Sequence, residues 1–257
     1  MKPIRYLGVL GEDYARLFLC DDGHPYVVKF YRVKHYRKRE VVNEYVAGRL
    51  ATKLHLPVST IQIVNIPQEL LSTIPRVKGS RLQGTVHLAL RFIEGALPYK
   101  EVEREVSNRI ITNRCQLADL IAFDLWIANM DRSRSNLLIH LKDRDRLSFH
   151  MIDHGKCFPG DYLWNESTLI EPPKYRFDMP IYKWALNQIT RDELTRSIQK
   201  ICSLHDTDIV EILNEIPDEW EVSEKERHAL FSYLKMNRGH LPEIVESFLS
   251  FHTYDET

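Results

Sequence analysis

The chain has 257 residues, of which 44% are hydrophobic and 28% are charged. This composition is ordinary for a globular protein and excludes an intrinsically disordered chain, which combines low hydrophobicity with high net charge. Lys and Arg number 35 against 36 Asp and Glu, so the formal net charge is −1. That balance argues against a dedicated nucleic-acid-binding protein, which usually carries a basic excess.

The cysteine spacing and the hydropathy pattern indicate a cellular compartment. Four cysteines lie far apart and form no CxxC pair: Cys20, Cys115, Cys157 and Cys202. This spacing argues against a zinc site or a disulfide framework and suits a reducing environment. No segment approaches the roughly 18 uncharged apolar residues of a membrane helix, and the N-terminus has no signal-peptide pattern. We therefore expect a cytoplasmic protein with no membrane segment.

The first third of the chain is predicted to form strands and one helix. Short β-prone runs cover residues 4–9, 15–20 and 26–31, with a hairpin turn signal at Asp21-Asp22-Gly23. Further strands are predicted at 58–64 and 85–93. Between the runs at 26–31 and 58–64, apolar residues recur every three to four positions, as on one face of a helix. These residues are Val42, Tyr45, Val46, Leu50 and Leu54.

The remainder of the chain is predicted to be mainly helical. It follows a linker at 94–98 and begins with a buried helix at 115–127 and a hairpin formed by 137–141 and 147–152. Residues 158–180 lack periodicity and are predicted to be loop. Thr190 and Glu193 have the spacing of a capping box that starts a helix toward Ile201. Another helix is predicted at 224–235. We therefore expect an α+β fold of two lobes, a β-rich N-lobe at 1–95 and a mostly helical C-lobe at 96–257.

The most informative segment lies between the buried helix and the hairpin. Asp131 is followed by Asn136 in a loop that runs directly into a strand. This is the spacing of a phosphotransferase catalytic loop, in which the Asp accepts or orients the proton of the attacking hydroxyl. The Asn side-chain oxygen reaches a magnesium ion, which prefers hard oxygen ligands. Arg132 and Arg134 flank this position and are interpreted either as phosphate contacts or as members of local ion pairs.

A second acidic residue and a lysine–glutamate pair complete the pattern. Asp153 ends the second strand of the hairpin and is followed by His154 and Gly155, the layout of the metal-binding Asp-x-Gly element of kinases. Lys29 ends a strand and Glu44 lies on the helix that follows, as in the lysine–glutamate pair that contacts the α- and β-phosphates of ATP. Each element alone is weakly specific, and their order along the chain gives the pattern its weight.

These motifs resemble those of the HipA-like kinase family, in its short, stand-alone bacterial form. The resemblance rests on Asn-x-Asp-Arg-x-x-x-Asn at 129–136, Ile-Asp-His-Gly at 152–155, Tyr-Val-Val-Lys-Phe at 26–30 and the helical residues 43–51, which include Asn43 and Glu44. It covers nearly the whole chain and implies a two-lobed protein-kinase-like fold. It also implies an ATP- and Mg²⁺-dependent kinase whose acceptor is a Ser or Thr hydroxyl of a protein.

The resemblance also implies roles for individual residues. Asp131 would be the catalytic base, Asn136 and Asp153 the magnesium ligands, and Lys29, held by Glu44, the phosphate-contacting lysine. The adenine would lie against a hinge that contains Phe92, Ile93 and Glu94. A phosphate-covering loop would contain Gly8 and Gly11, but it has two glycines where the usual kinase loop has three, and two acidic residues follow at once.

Three other functions remain open at this point. The glycine-poor loop favours a pseudokinase that binds nucleotide without transferring phosphate. A kinase of a small molecule or a lipid head group is a second alternative. Transfer of AMP in place of phosphate is a third, and the sequence does not separate it from kinase activity.

Overall fold

The computed structural model describes residues 1–10, 15–31, 37–74, 86–107 and 109–254. The strands in these ranges are β1 (Pro3–Leu10), β2 (Ala15–Cys20), β3 (Pro25–Lys29), β4 (Ile61–Asn65), β5 (Val86–Arg91), β6 (Ala96–Pro98), β7 (Ile110–Ile111), β8 (Leu137–Leu141) and β9 (Arg146–Met151). The helices are α1 (Glu40–Lys53), α2 (Gln68–Thr73), α3 (Tyr99–Val106), α4 (Gln116–Trp126), α5 (Glu166–Leu169), α6 (Pro180–Leu186), α7 (Arg191–Cys202), α8 (Asp206–Asn214), α9 (Glu224–Gly239) and α10 (Leu241–Tyr254).

The first part of the chain forms an antiparallel sheet in the order β1-β2-β3-β5-β4. The predicted hairpin between β2 and β3 is confirmed: the N–H of Gly23 donates to Cys20 O at 3.0 Å, and Gly23 has a φ of 81°. Helix α1 packs on β4 and β5. A Cβ on Gly48 would lie 1.9 Å from Cδ1 of Ile61, so the glycine allows this close approach of helix and sheet.

Helix α1 is more deeply buried than its predicted single apolar face implies. Every residue from Val41 to Gly48 is buried, because α1 lies between the sheet and α8. An ion pair of 2.7 Å between Lys53 and Asp208 joins the exposed ends of these two helices. The apolar side chains of α1 belong to the same core cluster as those of α4 and α9. A smaller cluster, which includes Phe18 and Leu71, packs on the sheet separately.

The second part contains a small sheet in the order β6-β8-β9-β7 and most of the helices. The predicted hairpin is confirmed by the antiparallel pairing of β8 and β9. Helix α4 is enclosed by α6, α7, α9 and α10, and each of its residues from Leu117 to Trp126 is buried. Among the described residues, no helix combines enough length and apolar character to cross a bilayer.

Two predicted irregular segments contain regular structure. The linker at 94–98 includes β6, which pairs with residues 138–140 of β8; this partner is distant in sequence, so local composition gives no sign of it. The predicted loop at 158–180 contains a 3₁₀ turn at Asp161–Leu163 and helix α5. The side chain of Asn165 caps α5 by accepting from Ser167 N at 2.9 Å, and a helix of four residues is too short to show periodicity.

Candidate functional site

Lys29 joins three elements at the centre of the site. Its Nζ lies 2.8 Å from Oδ1 of Asp153 and 3.1 Å from Oε2 of Glu44. Burial alone would lower the pKa of Lys29, but the carboxylates of Asp153 and Glu44 outweigh it and raise the pKa. The ammonium therefore stays charged. It fixes the end of β3 against Glu44 of α1 and against Asp153, two residues after β9.

The two carboxylates differ in their surroundings. The Asp153 side chain is 41% exposed, and the Lys29 ammonium lowers its pKa to about 2. Glu44 is 1% exposed, and burial raises its pKa although Lys29 opposes this shift. The backbone N–H of His154 also donates to the Glu44 carboxylate. Glu44 is therefore a buried anchor, whereas Asp153 remains open to a ligand.

The backbone turns sharply at Asp153. Its φ is 57°, in the left-handed region that non-glycine residues seldom adopt. Gly155 follows in close contact with α1, and a Cβ there would lie 2.8 Å from Cγ of Glu40. Glu40 itself pairs with Arg37 at 2.9 Å. The Asp-x-Gly sequence thus combines a strained residue, whose carboxylate reaches Lys29, with a glycine that lets the chain pass the helix.

The predicted catalytic loop is held by its own asparagines. The N–H of Asp131 donates to Oδ1 of Asn129 at 3.0 Å. The Asn136 amide donates to the backbone oxygen of Asp131 at 2.6 Å and to its Oδ2 at 3.3 Å. Burial, followed by the nearby charge of Asp153, raises the pKa of Asp131. The Asp131 carboxylate is therefore oriented by Asn136 and lies in the electrostatic field of Asp153.

Arg132 supports this loop from within the core and is too enclosed to contact a phosphate. Arg132 and Asp124 are both 0% exposed and form a two-point ion pair, with Nε–Oδ2 at 2.7 Å and Nη2–Oδ1 at 3.0 Å. The same guanidinium donates to the carbonyls of Asn136 at 2.5 Å and Ile152 at 3.0 Å. Of the two interpretations of Arg132, the local ion pair is correct. Its flanking partner Arg134 also forms an ion pair, 2.8 Å from Glu103.

The proposed metal ligands come from the two ends of the β8–β9 hairpin. The N–H of Ile152 donates to Asn136 O at 3.3 Å, which brings the chain before Asp153 beside Asn136. The Asn136 amide nitrogen donates to Asp131, and no described group donates to its Oδ1. The described residues hold no cluster of three or more His, Cys, Asp or Glu that could bind a metal. One carboxylate and one amide oxygen suit Mg²⁺, which takes few protein ligands and completes its shell with phosphates and water.

The structure describes all but one of the residues predicted to contact the nucleotide. Phe92 and Ile93 are half-buried and Glu94 is exposed, between β5 and β6 where the chain passes from the first sheet to the second. The N–H of Phe92 donates to Pro25 O at 2.9 Å. Gly8 lies in β1, paired with Leu17, because the strand continues to Leu10, and its contact with a nucleotide stays a prediction. Gly11 lies outside the described residues.

A family model described as HipA-like kinase matches residues 10–244. The chain belongs to the HipA-like kinase family. No curated protein matches it closely enough to report.

Solved structures of kinases share the fold. The proinflammatory kinase CtkA of Helicobacter pylori superposes with a TM-score of 0.62 at 13% identity, over 95% of this chain and 94% of that chain. A Golgi casein kinase with Mn/ADP bound gives a TM-score of 0.50 at 14% identity, over 96% of this chain and 74% of that one. HipA of Shewanella oneidensis MR-1, in a complex with HipB and operator DNA, has a lower TM-score of 0.47 at 13% identity. That alignment covers 85% of this chain and 60% of the HipA chain. The fold is protein-kinase-like, and family and fold together support a phosphotransferase.

Two residues that shape the site were missed by sequence reasoning. Asp124 is one of the two acidic residues in the otherwise apolar helix α4, and an acidic residue in a fully buried helix signals a buried partner. Asn43 precedes Glu44 and is fully buried, but nothing in its own sequence neighbourhood indicates what it contacts.

Proposed function

We propose that this HipA-like kinase uses ATP and Mg²⁺ to transfer the γ-phosphate to a hydroxyl group, with a Ser or Thr of a protein as the acceptor. The observation that carries the proposal is the Lys29 ammonium between Glu44 and Asp153, 3.1 Å and 2.8 Å away, beside a loop in which Asn136 orients Asp131. We further propose that residues 1–95 form the lobe that covers the nucleotide and that residues 96–257 form the lobe that carries the catalytic loop.

In the proposed reaction, Asp131 positions the acceptor hydroxyl and takes its proton. The hydroxyl oxygen forms a bond to the γ-phosphorus while the bond from that phosphorus to the β–γ bridging oxygen breaks, which leaves ADP. The raised pKa of Asp131 favours this role, because a carboxylate of higher pKa is a better proton acceptor. The hydrogen bond from Asn136 keeps one carboxylate oxygen in a fixed direction.

The charges around Asp131 suit the phosphates of the nucleotide. Lys29 contributes a half-buried ammonium to the α- and β-phosphates, and Glu44 holds that ammonium in place. Asp153 and Asn136 would hold magnesium, which offsets phosphate charge when bound. The casein kinase that shares the fold contains Mn/ADP, which supports nucleotide and divalent-metal use here. The half-buried hinge at Phe92 and Ile93 offers an apolar surface for the adenine.

Intact-protein mass spectrometry after incubation with ATP and Mg²⁺ tests the proposal. The chain alone and the chain with a generic Ser/Thr-rich protein acceptor are compared with Asp131→Ala, and the exposed hairpin residue Asp145, as Asp145→Ala, is the matched control. We expect added phosphate masses with wild type and Asp145→Ala and none with Asp131→Ala, although Asp131→Ala still binds nucleotide. Turnover that survives in Asp131→Ala would refute the role of Asp131, and an added AMP mass would show nucleotidyl transfer instead.

A further inference from the structure

Asn43 makes a set of buried hydrogen bonds that links α1 to the segment after Asp153. Its side-chain nitrogen donates to the carbonyls of Gly155 at 2.8 Å, Asp161 at 2.9 Å and Cys157 at 3.1 Å. Its Oδ1 accepts from the indole nitrogen of Trp164 at 2.5 Å. One amide therefore contacts four points of the stretch from residue 155 to residue 164, which begins two residues after Asp153.

Neighbouring residues attach the same stretch to the start of α1. The N–H of Arg39 donates to Tyr162 O at 2.9 Å, and its guanidinium lies 4.6 Å from the centre of a Trp164 ring. The guanidinium of Arg37 lies 4.5 Å from the centre of the Tyr162 ring. These contacts fasten the stretch to the start of α1. They act beside two backbone hydrogen bonds of 2.9 Å, from Met130 N to Lys156 O and from Phe158 N to Ile127 O.

The chemistry of the amide explains why this position requires asparagine. Two N–H groups shared among three carbonyls, together with one oxygen that accepts from Trp164, use both ends of the side chain. Aspartate has the same shape, but it would place a second oxygen against three carbonyl oxygens, and each of these carbonyls would lose its donor in a buried environment, which is unfavourable. Because Glu44 is the next residue along α1, movement of the stretch would separate Asp153 from the Lys29–Glu44 pair.

We propose that Asn43 is a positioning residue: by fastening the stretch after Asp153 to α1, it holds the Asp153 carboxylate where it can bind magnesium beside the nucleotide. The proposal rests on the proposed function for the identity of the metal and the nucleotide. It assigns Asn43 no contact with either one. It predicts that loss of the amide reduces the Mg²⁺-dependent gain in nucleotide affinity more than it reduces nucleotide affinity without metal.

The chain offers a close control in Asn237. This residue is 2% exposed, its amide donates to the carbonyls of Leu125 at 3.3 Å and of Trp126, and its Oδ1 accepts from Tyr175 Oη at 2.8 Å. It thus makes the same kinds of bonds as Asn43 but lies on α9, away from Asp153. Asn43→Asp and Asn237→Asp remove the same donors, so we expect comparable decreases in melting temperature.

Isothermal titration calorimetry with ADP, with and without Mg²⁺, separates the two variants. We expect Asn43→Asp to reduce the Mg²⁺-dependent gain in ADP affinity by roughly tenfold or more, as loss of a residue that supports a metal ligand does, and to leave metal-free ADP affinity within about twofold. Asn237→Asp should keep the wild-type gain. Asp153→Asn should lose the gain altogether and sets the scale of the effect.

Each outcome bears on the proposal. An unchanged Mg²⁺-dependent gain in Asn43→Asp, or an equal loss in Asn237→Asp, would overturn the role of Asn43 while leaving the proposed function intact. If Asn43→Asp does not fold, Trp164→Phe decides, because it removes the indole donor to Asn43 and keeps an aromatic ring beside Arg39; a smaller loss of the gain supports the proposal, and no loss overturns it. Wild type that binds Mg²⁺ and ADP but transfers no phosphate would contradict the proposed function alone. Wild type without any Mg²⁺-dependent gain would overturn both.

Discussion

Replacing Arg132 by methionine tests how the catalytic loop is supported. The substitution keeps much of the side-chain volume but removes the positive charge beside Asp124, and both residues are 0% exposed. It also removes the donors to the carbonyls of Asn136 and Ile152. Asp124 would keep the amide of Asn129 at 2.9 Å and Tyr182 Oη at 3.3 Å, which are neutral donors and do not balance its charge.

The expected cost follows from this burial. Removing one partner of a fully buried ion pair destabilises a protein by about 3–5 kcal/mol. For a chain of this size, each kcal/mol lowers the melting temperature by about 2–4 °C. Arg132→Met should therefore lower it by about 6–20 °C. Asp124→Leu combined with Arg132→Met should recover part of this loss because no unpaired charge remains.

Differential scanning calorimetry and the phosphate-transfer assay together decide the argument. We expect the double variant to regain stability but not transfer, because Asn129 loses its carboxylate acceptor and the Asn136 carbonyl keeps only the N–H of Ile152 as a donor. The control is Lys200→Met, which breaks a partly exposed ion pair of 2.9 Å with Asp119. Asp119 lies on α4, as Asp124 does, and we expect this variant to leave transfer unchanged. A melting temperature for Arg132→Met within about 2 °C of wild type would refute the energetic reasoning, and wild-type transfer by the double variant would refute the role of the pair.

Two further predictions concern ionisable groups. Lys29→Met leaves Glu44 buried beside Asp153 without an ammonium, so we expect the variant to melt below wild type by a margin that grows as pH rises and Glu44 ionises. Lys29→Met with Glu44→Gln should remove the part of this pH dependence that comes from Glu44 and keep the part from Asp153, whose pKa Lys29 lowers to about 2, without restoring transfer. A margin that does not change with pH would contradict the pairing. The Arg114 side chain lowers the pKa of Glu193 to about 2 from 4.5, so the stability that Glu193 adds is present above its unfolded pKa and is lost as pH falls from about 4.5 to about 2. The melting difference between wild type and Glu193→Gln should shrink over that range. A constant difference would show that the ion pair is not its source.

Local sequence patterns predicted those parts of the molecule whose partners are close in sequence. The turn at Asp21-Asp22-Gly23, strand β2 and the capping box of α7 lie where the residues indicate, and the Thr190 hydroxyl accepts from Glu193 N at 3.2 Å. The two-lobed fold was also predicted correctly. The roles of Lys29, Asp131, Asn136 and Asp153 stay predictions, although the structure brings Lys29 and Asp153 together from positions 124 residues apart.

The errors share one physical cause, which is a partner distant in the chain. Strand β6 is a strand because β8 offers it a register about forty residues later. Helix α1 has no solvent face along most of its length because α8 covers the side away from the sheet. Periodicity within a short window contains none of this information.

Three of the proposed chemical groups are each supported by a buried polar residue, and of these residues only Glu44 belongs to the general kinase pattern. Glu44 holds Lys29, Asp124 acts through Arg132 on the loop of Asp131, and Asn43 holds the chain that follows Asp153. A motif specifies chemistry, but a phosphoryl transfer depends on placing its groups within a fraction of an ångström. Buried hydrogen bonds provide that placement because they are strong in a low-dielectric interior and costly to leave unmade. Substitutions behind the site, such as Arg132→Met, should therefore lower transfer although the replaced side chain contacts no reacting group.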